Sequence, residues 1–324
     1  SVIILNFFGL FSKFLLIIKL QIIFQKIQLI ISRFLFFSKI RHEDYMSYIK
    51  TLSENFKVYS EAIKLEHSIF ALPFALLTLF IVYEGNPDYT ILFWIIIAMV
   101  SMRTFGMGAN RIIDKEIDTK NPRTSNRALP KGLISINQML FFTTFSLILF
   151  LLSVFNLHSS AQKYLPIPIA VMIIYPYLKR FTWLAHFGLG IVYLIVPSAV
   201  EVAINGNISL GILLLGVGAM FWVVGFDILY AINDFEIDIK QNIYSIPAKF
   251  GIKNSLNISR LCHTVSVAML FLAGIVLDAG LLFFIGVICT KILLIYEQSL
   301  ISYKNLKKLN MAFFTMNGVI SFVF

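Results

Sequence analysis

The most polar run of this chain, residues 110–132, carries three oxygen-bearing side chains at regular intervals. Asn110, Asp114 and Asp118 recur at every fourth position, a spacing that places all three on one face of a helix. Carboxylates that share a face repel each other unless a cation lies among them. Hard oxygen ligands are those that Mg²⁺ prefers, so this run is predicted to bind magnesium.

A second run, residues 227–251, repeats the pattern with Asp234 and Asp238 four positions apart. Together the two runs offer more oxygen ligands than a single Mg²⁺ needs, because this ion usually takes one or two carboxylates and completes its shell with water and phosphate. The sequence therefore predicts that the two runs converge on a diphosphate bridged by more than one Mg²⁺.

Basic side chains near both runs could bind the same diphosphate. Lysine and arginine can hold phosphate oxygens, and arginine does so with two parallel hydrogen bonds. The candidates are Lys115, Arg123, Arg127, Lys179 and Arg180. The competing interpretation is a solvated helix-end surface on which these bases merely neutralise the acids. Two such runs, each at the end of an apolar segment and each followed by a glycine-containing loop, favour the metal and diphosphate site.

The composition excludes an ordinary soluble domain. The 324 residues are 58% hydrophobic and only 14% charged, whereas about a quarter of a typical soluble chain is charged. The net charge of +10 does not indicate nucleic-acid binding, because the basic residues lie between apolar segments rather than along one face. A polytopic membrane protein is predicted, and a diphosphate bound at its surface would belong to a lipid whose tail lies among the helices.

Nine apolar runs approach the length of about 20 residues that crosses a bilayer. They are residues 67–83, 90–109, 137–157, 162–178, 183–204, 208–230, 258–277, 279–297 and 309–324. The sequence thus predicts an all-α fold with nine transmembrane helices in one bundle. The second and sixth runs lead directly into the two acidic runs, which suggests two related halves.

The loops between these runs sort by charge. Most lysines and arginines fall on one side of the predicted membrane, whereas Glu84, Asp88, Glu201 and Asp278 fall on the other. Because cytoplasmic loops carry the excess of positive charge, both acidic runs are expected in a cytoplasmic, aspartate-lined cavity. The expected location is a bacterial-type inner membrane, with the active site facing the cytoplasm.

Residues 1–45 differ in composition from the rest. They lack alanine and proline, and their basic residues recur every six or seven positions. They are expected to be an upstream extension outside the core, with Met46 near the true start. The alternative is a basic amphipathic helix lying on the membrane. Residues 46–324 are expected to form the transmembrane domain.

Three stretches, taken in order, resemble the UbiA-type intramembrane aromatic prenyltransferases. NRIIDKEID followed by PRTSNRALPKG is similar to the first aspartate motif of this family, and DILYAINDFEID followed by YSIPAKFG is similar to the second. YPYLKRFTWLAHFGLG resembles the stretch between them. The likeness runs from about residue 64 to 324. One departure is ALP at 128–130, where many members have Arg-Pro-Leu.

The resemblance implies a nine-helix bundle that is open laterally to lipid. It implies Mg²⁺ and diphosphate ligands at Asn110, Asp114, Asp118, Asp234 and Asp238. Diphosphate or the acceptor's carboxylate would be bound by Lys115, Arg123, Lys179 and Arg180. Asp227 and Tyr230 would orient the acceptor or shield a carbocation.

The implied reaction transfers a polyprenyl group from polyprenyl diphosphate to an aromatic acid, with 4-hydroxybenzoate of ubiquinone synthesis expected first. The alternative is the prenyltransferase of futalosine-route menaquinone synthesis, because the stretches EHSIFALPFAL and IPAKFG also resemble that enzyme. A cation-coupled transporter is the hypothesis from another class. It is less favoured because transporters place such acids near the midplane, whereas these acids lie at segment ends.

Three further residues lie near the predicted cytoplasmic side. Lys64 is expected to contact the acid group of the acceptor. His67 is interpreted as a capping or interface residue rather than a substrate ligand. His186, which follows the Lys179-Arg180 pair, is interpreted as a side chain that snorkels to the interface.

Overall fold

The computed structural model describes residues 42–64, 72–303, 306, 309, 311 and 316–323, and every regular element in these ranges is a helix. The chain divides into two compact units, residues 1–56 and 57–324, and all of the predicted site residues belong to the second. The predicted N-terminal extension falls almost entirely on residues 1–41, which lie outside the described residues.

Thirteen α-helices are described. In chain order they are α1 His42–Ala62, α2 Leu72–Val82, α3 Tyr89–Ile113, α4 Lys115–Lys120, α5 Ile136–Phe155, α6 Ser159–Tyr164, α7 Pro166–Leu178, α8 Ala185–Asn205, α9 Leu210–Ala231, α10 Phe235–Lys240, α11 Ile246–Val276, α12 Leu281–Ser299 and α13 Asn317–Val323. One turn of 3₁₀ helix, Ile232–Asp234, joins α9 to α10.

Six of the predicted spans are confirmed as helices that are long and apolar enough to cross a membrane. They are α3, α5, α8, α9 with its continuation to Lys240, α11 and α12. The other three predicted spans contain α2, α7 and α13, whose described lengths are 11, 13 and 7 residues. These lengths are below the 20 or so residues needed to cross a bilayer, so the count of nine spans stays a prediction.

Side-chain caps fix where several of the long helices begin. Asp88 accepts hydrogen bonds from the backbone of the first turn of α3, at 2.7 Å from Thr90 N. Ser135 and Gln138 form a reciprocal capping box at the start of α5. Ser245 accepts from Ala248 N at 3.2 Å where α11 begins. These oxygens satisfy backbone N–H groups that a helix start leaves without a partner, and so set the helix boundaries.

One face of α5 is apolar and exposed in a continuous stripe. The stripe consists of Phe141, Phe145, Ile148, Leu152 and Phe155. These positions follow the three- and four-residue spacing of a single helix face. An exposed stripe of large apolar side chains would be unfavourable in water but suits contact with lipid tails. The chain is an integral membrane protein, consistent with its six apolar helices.

The interior is organised around α9, which packs along α8 on one side and α11 on the other. Its residues Val223, Val224, Ile228 and Leu229 are completely buried. The approach to α8 is close, because a Cβ at Gly216 would lie 2.7 Å from the Leu194 carbonyl oxygen. This tight packing fixes the end of α9, and with it the second acidic run, relative to the neighbouring helices.

Candidate active site

The first acidic run begins where α3 ends. Asp114 leaves the helical conformation, with φ −92° and ψ 5°, and the short helix α4 starts directly after it. The break turns Asp114 and Asp118 inward, and the two residues are only 2% and 4% exposed. Asn110, in the last turn of α3, donates from Nδ2 to Asp114 Oδ2 at 3.1 Å.

The second acidic run has the same local structure. Asp234 has φ −102° and ψ 5° and precedes the six-residue helix α10, just as Asp114 precedes α4. Asp238 is 8% exposed and occupies the position in α10 that Asp118 occupies in α4. The two halves therefore present matching pairs of aspartates, as the sequence repeat suggested.

The two runs meet through Arg123. Its Nη2 lies 2.5 Å from Asp234 Oδ2, and its Nε donates to Oδ1 of the same carboxylate at 2.8 Å. The third nitrogen, Nη1, donates to the Tyr230 hydroxyl at 2.5 Å. Asn121 Nδ2 adds a hydrogen bond to Asp234 Oδ1 at 3.0 Å. Side chains of the first run thus reach the acid of the second, although more than a hundred residues separate them in sequence.

Two bases at the end of α7, Lys179 and Arg180, also reach the place where the two acidic runs meet. This meeting point of the two acidic runs and the two bases is called the junction below. Lys179 Nζ lies 2.5 Å from Asp114 Oδ2, and Arg180 Nη1 lies 3.2 Å from Asp114 Oδ1. Arg180 also donates from Nη2 to the Ile113 carbonyl at 2.8 Å, so it caps the last turn of α3. The Lys179 carbonyl accepts from Tyr244 N at 2.8 Å, which ties this pair to the loop after the second acidic run.

Each remaining aspartate of the two runs has its own partner. Arg127 Nη1 donates to both oxygens of Asp118, at 2.7 and 2.6 Å. Ser245 Oγ donates to Asp238 Oδ2 at 2.8 Å. Within the described ranges, no three His, Cys, Asp or Glu side chains converge closely enough to hold an ion by themselves. The donor set is nevertheless made of oxygens alone, which is the chemistry that Mg²⁺ requires.

The electrostatic environment of Arg123 favours its charged form. Partial burial alone would lower the pKa of its guanidinium, but the hydrogen bonds to Asp234 and Tyr230 raise that pKa above its usual value. The guanidinium also lies 4.8 Å from the centroid of the Tyr230 ring. Arg123 therefore remains a cation and can exchange a carboxylate for another anion without losing its charge.

Asp227 is held by a histidine whose role the sequence did not reveal. His186 is 5% exposed, accepts from Ile246 N at Nε2 (3.3 Å), and lies with Nδ1 2.7 Å from Asp227 Oδ2. Because Nε2 accepts, Nδ1 carries the proton that it donates to Asp227. The interpretation of His186 as an interfacial, snorkelling side chain is wrong, because α8 turns the ring toward α9 rather than toward the membrane surface.

An apolar cavity of about 510 Å³ leads away from the aspartates. Gly106 and Met107 of α3 line it one helical turn before Asn110, and Leu189 lines it one turn after His186. Tyr175, also in its wall, lies within electrostatic range of Asp114 and Asp227. Along α3 the lining extends back to Ile95, about 18 Å from Met107 at about 1.5 Å per residue.

Arg103 is a functional candidate that the sequence reasoning missed. It lies within α3 and is the single charged side chain among the described residues that line the cavity. It also lies within electrostatic range of Tyr175 and Tyr193. The available signal was an arginine inside a predicted span, because ionisable residues within membrane helices usually serve function.

The model of the UbiA prenyltransferase family matches residues 71–319. The chain belongs to the UbiA prenyltransferase family. It is 30% identical over 247 residues to a 4-hydroxybenzoate octaprenyltransferase of Aliivibrio fischeri (strain MJ11), covering 76% of this chain and 85% of that protein. A UbiA homologue from Aeropyrum pernix K1, solved without ligand, is 28% identical with a TM-score of 0.73 and covers 80% of this chain and 95% of its own.

A second solved UbiA homologue, from Archaeoglobus fulgidus and bound to GPP and Mg²⁺, has a TM-score of 0.65 at 16% identity, covering 82% of this chain and 97% of its own. At that identity the likeness concerns the fold alone. Recognition of a UbiA-type prenyltransferase from the three motifs is confirmed by the family match, and the protein is an enzyme of this class.

The structure does not bring every predicted site residue of this UbiA prenyltransferase to the junction. Lys115 is exposed on α4, and among the described residues its side chain contacts none of the acids. Lys64, at the end of the first described range, has a positive φ of 50° and is exposed. His67 lies outside the described residues. The remaining predicted residues lie around the junction, where Asn121 and His186 join them, and Arg103 lies in the wall of the cavity.

Proposed function

We propose that this UbiA-family enzyme transfers a polyprenyl group from polyprenyl diphosphate to an aromatic acid, in a reaction that depends on Mg²⁺. The observation that carries the proposal is the junction itself. There, two aspartate runs and a Lys-Arg pair meet at one end of a long apolar cavity. Such an arrangement suits an amphipathic donor with a strongly anionic head and an apolar tail.

The oxygen ligands proposed to hold the metal are Asn110, Asp114, Asp118, Asp234 and Asp238. Mg²⁺ bound there would supply positive charge against the developing charge of the departing diphosphate. Each aspartate already has a base or hydroxyl group as its partner, so the bases lie close to where a diphosphate would bind and could exchange a carboxylate for a phosphate group. Binding of a diphosphate would turn the bases from the carboxylates to phosphate oxygens and leave the carboxylates for the cation.

The proposed diphosphate-binding bases are Arg123, Arg127, Lys179 and Arg180. Arg123 is the best placed, because its planar fork already makes two parallel hydrogen bonds to a carboxylate and can make the same pair to phosphate. Lys179 and Arg180 are about a quarter exposed, so both reach the open side of the junction. These cations would stabilise the leaving group at the point where charge accumulates.

The prenyl tail is proposed to occupy the apolar cavity. Its wall contains Tyr193, Trp222 and Phe226, whose rings would pack against the apolar tail. Once the bond to diphosphate breaks, the allylic carbocation would lie at the end of the cavity near Asp114, beside the ring of Tyr175 rather than in water. The cavity would therefore both bind the tail and protect the reactive carbon.

The aromatic acceptor is proposed to bind between Arg103 and Asp227. The Arg103 guanidinium offers a bidentate partner for a carboxylate inside the cavity. The Asp227 carboxylate, oriented by His186, can accept a proton from the acceptor's hydroxyl group at Oδ1. Tyr230 would close this side of the junction through its contact with Arg123. The ring carbon would then attack the carbocation, and the ring proton would pass to the released diphosphate, which restores the aromatic ring.

The acceptor proposed first is 4-hydroxybenzoate, which places the enzyme in ubiquinone biosynthesis. The names of relatives such as the Aliivibrio fischeri protein support this choice, and the Archaeoglobus fulgidus homologue solved with GPP and Mg²⁺ supports the donor and the metal. The proposed location is a bacterial-type inner membrane, in a nine-helix bundle with the junction facing the cytoplasm.

The test is turnover by purified protein in lipid or detergent. The protein is given radiolabelled polyprenyl diphosphate, Mg²⁺ and 4-hydroxybenzoate, and the prenylated product is separated by chromatography. Product formed only with an acceptor of futalosine-route menaquinone synthesis would move the enzyme to that pathway. Absence of product with every aromatic acid, together with cation flux in liposomes, would favour a transporter instead.

A further inference from the structure

A buried carboxyl group lies inside the second half of the bundle, away from both aspartate runs. Glu297 of α12 is completely buried, and neither of its carboxyl oxygens forms a hydrogen bond within the part of the chain that the structure describes. The side chain of Asn317 lies beside it. Burial of a carboxyl group in a lipid-embedded bundle is unfavourable, and an apolar side chain could fill the same space without that cost. The presence of an acid here therefore indicates a functional role.

Asn317 connects this carboxyl group to a tryptophan. Trp222 Nε1 donates to Asn317 Oδ1 at 2.9 Å. An indole N–H is a donor only, so it must meet the oxygen of the amide and not its NH₂ group. The NH₂ group is then directed away from the indole, and the Glu297 carboxyl is an acceptor beside that same side chain. Glu297 thereby favours the one amide orientation that keeps the tryptophan hydrogen bond.

The tryptophan in turn holds an aromatic wall of the cavity. Trp222 is 2% exposed and has ring centroids 5.3 Å from Phe74, 5.2 Å from Phe226 and 6.3 Å from Tyr193. Trp222, Phe226, Tyr193 and Asn317 all line the cavity. Rotation of the indole would therefore change the shape of the wall on several sides at once.

We propose that Glu297 and Asn317 are positioning residues that set how well the enzyme uses long prenyl chains. This inference rests on the proposed function, because it takes the cavity as the site of the donor tail. Trp222 precedes Asp234 by twelve positions on α9 and its continuation, which is about 18 Å along the helix axis. A short donor anchored at Asp234 ends before this depth, whereas a long donor passes the indole.

The experiment compares kcat/KM for octaprenyl diphosphate with kcat/KM for geranyl diphosphate in the same purified variants. Glu297→Leu removes the acceptor that favours the Asn317 orientation needed for the Trp222–Asn317 hydrogen bond. It is expected to lower the ratio of long to short donor about tenfold, roughly the worth of that one buried hydrogen bond. Glu297→Gln keeps a carbonyl acceptor and is expected to leave the ratio near that of the unmodified enzyme.

Asn317→Leu is expected to lower the ratio as much as Glu297→Leu, and the double variant no further, because both changes remove the same constraint on the indole. Thr290→Val is the matched control. It changes another buried polar side chain of α12 that also lacks a hydrogen-bond partner within the described residues, and it should leave the ratio unchanged.

A parallel loss with both donors would mean that Glu297 only stabilises the fold, and would overturn the proposal. An equal loss in Glu297→Gln and Glu297→Leu would overturn the hydrogen-bond argument. If Glu297→Leu does not fold, Asn317→Leu and Glu297→Gln still decide between these outcomes. If the unmodified enzyme converts neither donor, the proposed function itself fails, which is a separate result.

Discussion

Replacement of Asp114 by asparagine is the sharpest perturbation of the proposed site. Its carboxylate accepts hydrogen bonds from Asn110, Lys179 and Arg180 at 3.1, 2.5 and 3.2 Å and is almost completely buried. Asp114→Asn keeps the size and one acceptor oxygen but removes the negative charge. It also turns an NH₂ group toward cations that need an acceptor.

The expected loss of stability is modest. Removing one partner of a fully buried ion pair costs about 3–5 kcal/mol. Lys179 and Arg180, however, are each 27% exposed, so water can solvate both cations once the carboxylate is gone. We therefore expect a loss of about 1–2 kcal/mol in the free energy of unfolding. The protein should remain folded in detergent.

The expected loss of activity is much larger, because the charge of this carboxylate serves the proposed cation. We expect kcat to fall by about a hundred- to a thousandfold, the range found when one preorganised electrostatic contact is removed. The measurement is prenyl transfer across an Mg²⁺ titration, accompanied by thermal unfolding of the same samples. Glu116→Gln is the matched control, because Glu116 is an exposed acid on the adjacent helix α4.

A rate for Asp114→Asn within about threefold of the unmodified enzyme, at limiting Mg²⁺, would exclude Asp114 as a metal ligand, because a threefold change corresponds to under about 1 kcal/mol of activation free energy. An equal loss of activity in Glu116→Gln would exclude it as well, since the effect would then follow from any loss of acidic charge on this surface. An unfolded Asp114→Asn would contradict the estimate of stability.

Three further outcomes are expected of the purified enzyme. Arg123→Lys loses the forked contact with Asp234 and should raise KM for the donor by about tenfold in steady-state assays, with little change in the Tm. Arg103→Leu should raise KM for the aromatic acid at least about tenfold while donor binding, measured by isothermal titration, is unchanged. Asp227→Asn, which removes the proton acceptor but retains a partner for His186, should lower kcat about a hundredfold at unchanged donor KM. A donor-only defect in Arg103→Leu would contradict its proposed position, and a normal kcat in Asp227→Asn would exclude it as the proton acceptor.

Much of this architecture followed from local sequence patterns. The confirmed spans are continuous apolar runs of about 20 residues, and a helix satisfies the backbone hydrogen bonds of such a run within the segment itself. The recurrence of Asn110, Asp114 and Asp118 at every fourth position identified the first acidic run. The expectation that one helix carries all three was wrong, because α3 ends before Asp114 and Asp118 lies on α4. The three motifs in order also identified the family, which the family match over residues 71–319 confirms.

The sequence by itself identified the two acidic runs and the apolar segments that lead into them, because periodicity and charge are properties of neighbouring residues. The tertiary structure alone decided the partners. Arg123 meets Asp234, and His186 meets Asp227, across separations that no local pattern encodes. Arg103 lies inside a predicted span, and only the packing of the helices showed that it lines the cavity. Pairing across the bundle depends on how α3, α7, α8 and α9 pack, and packing is fixed only when all of their side chains fill the same interior.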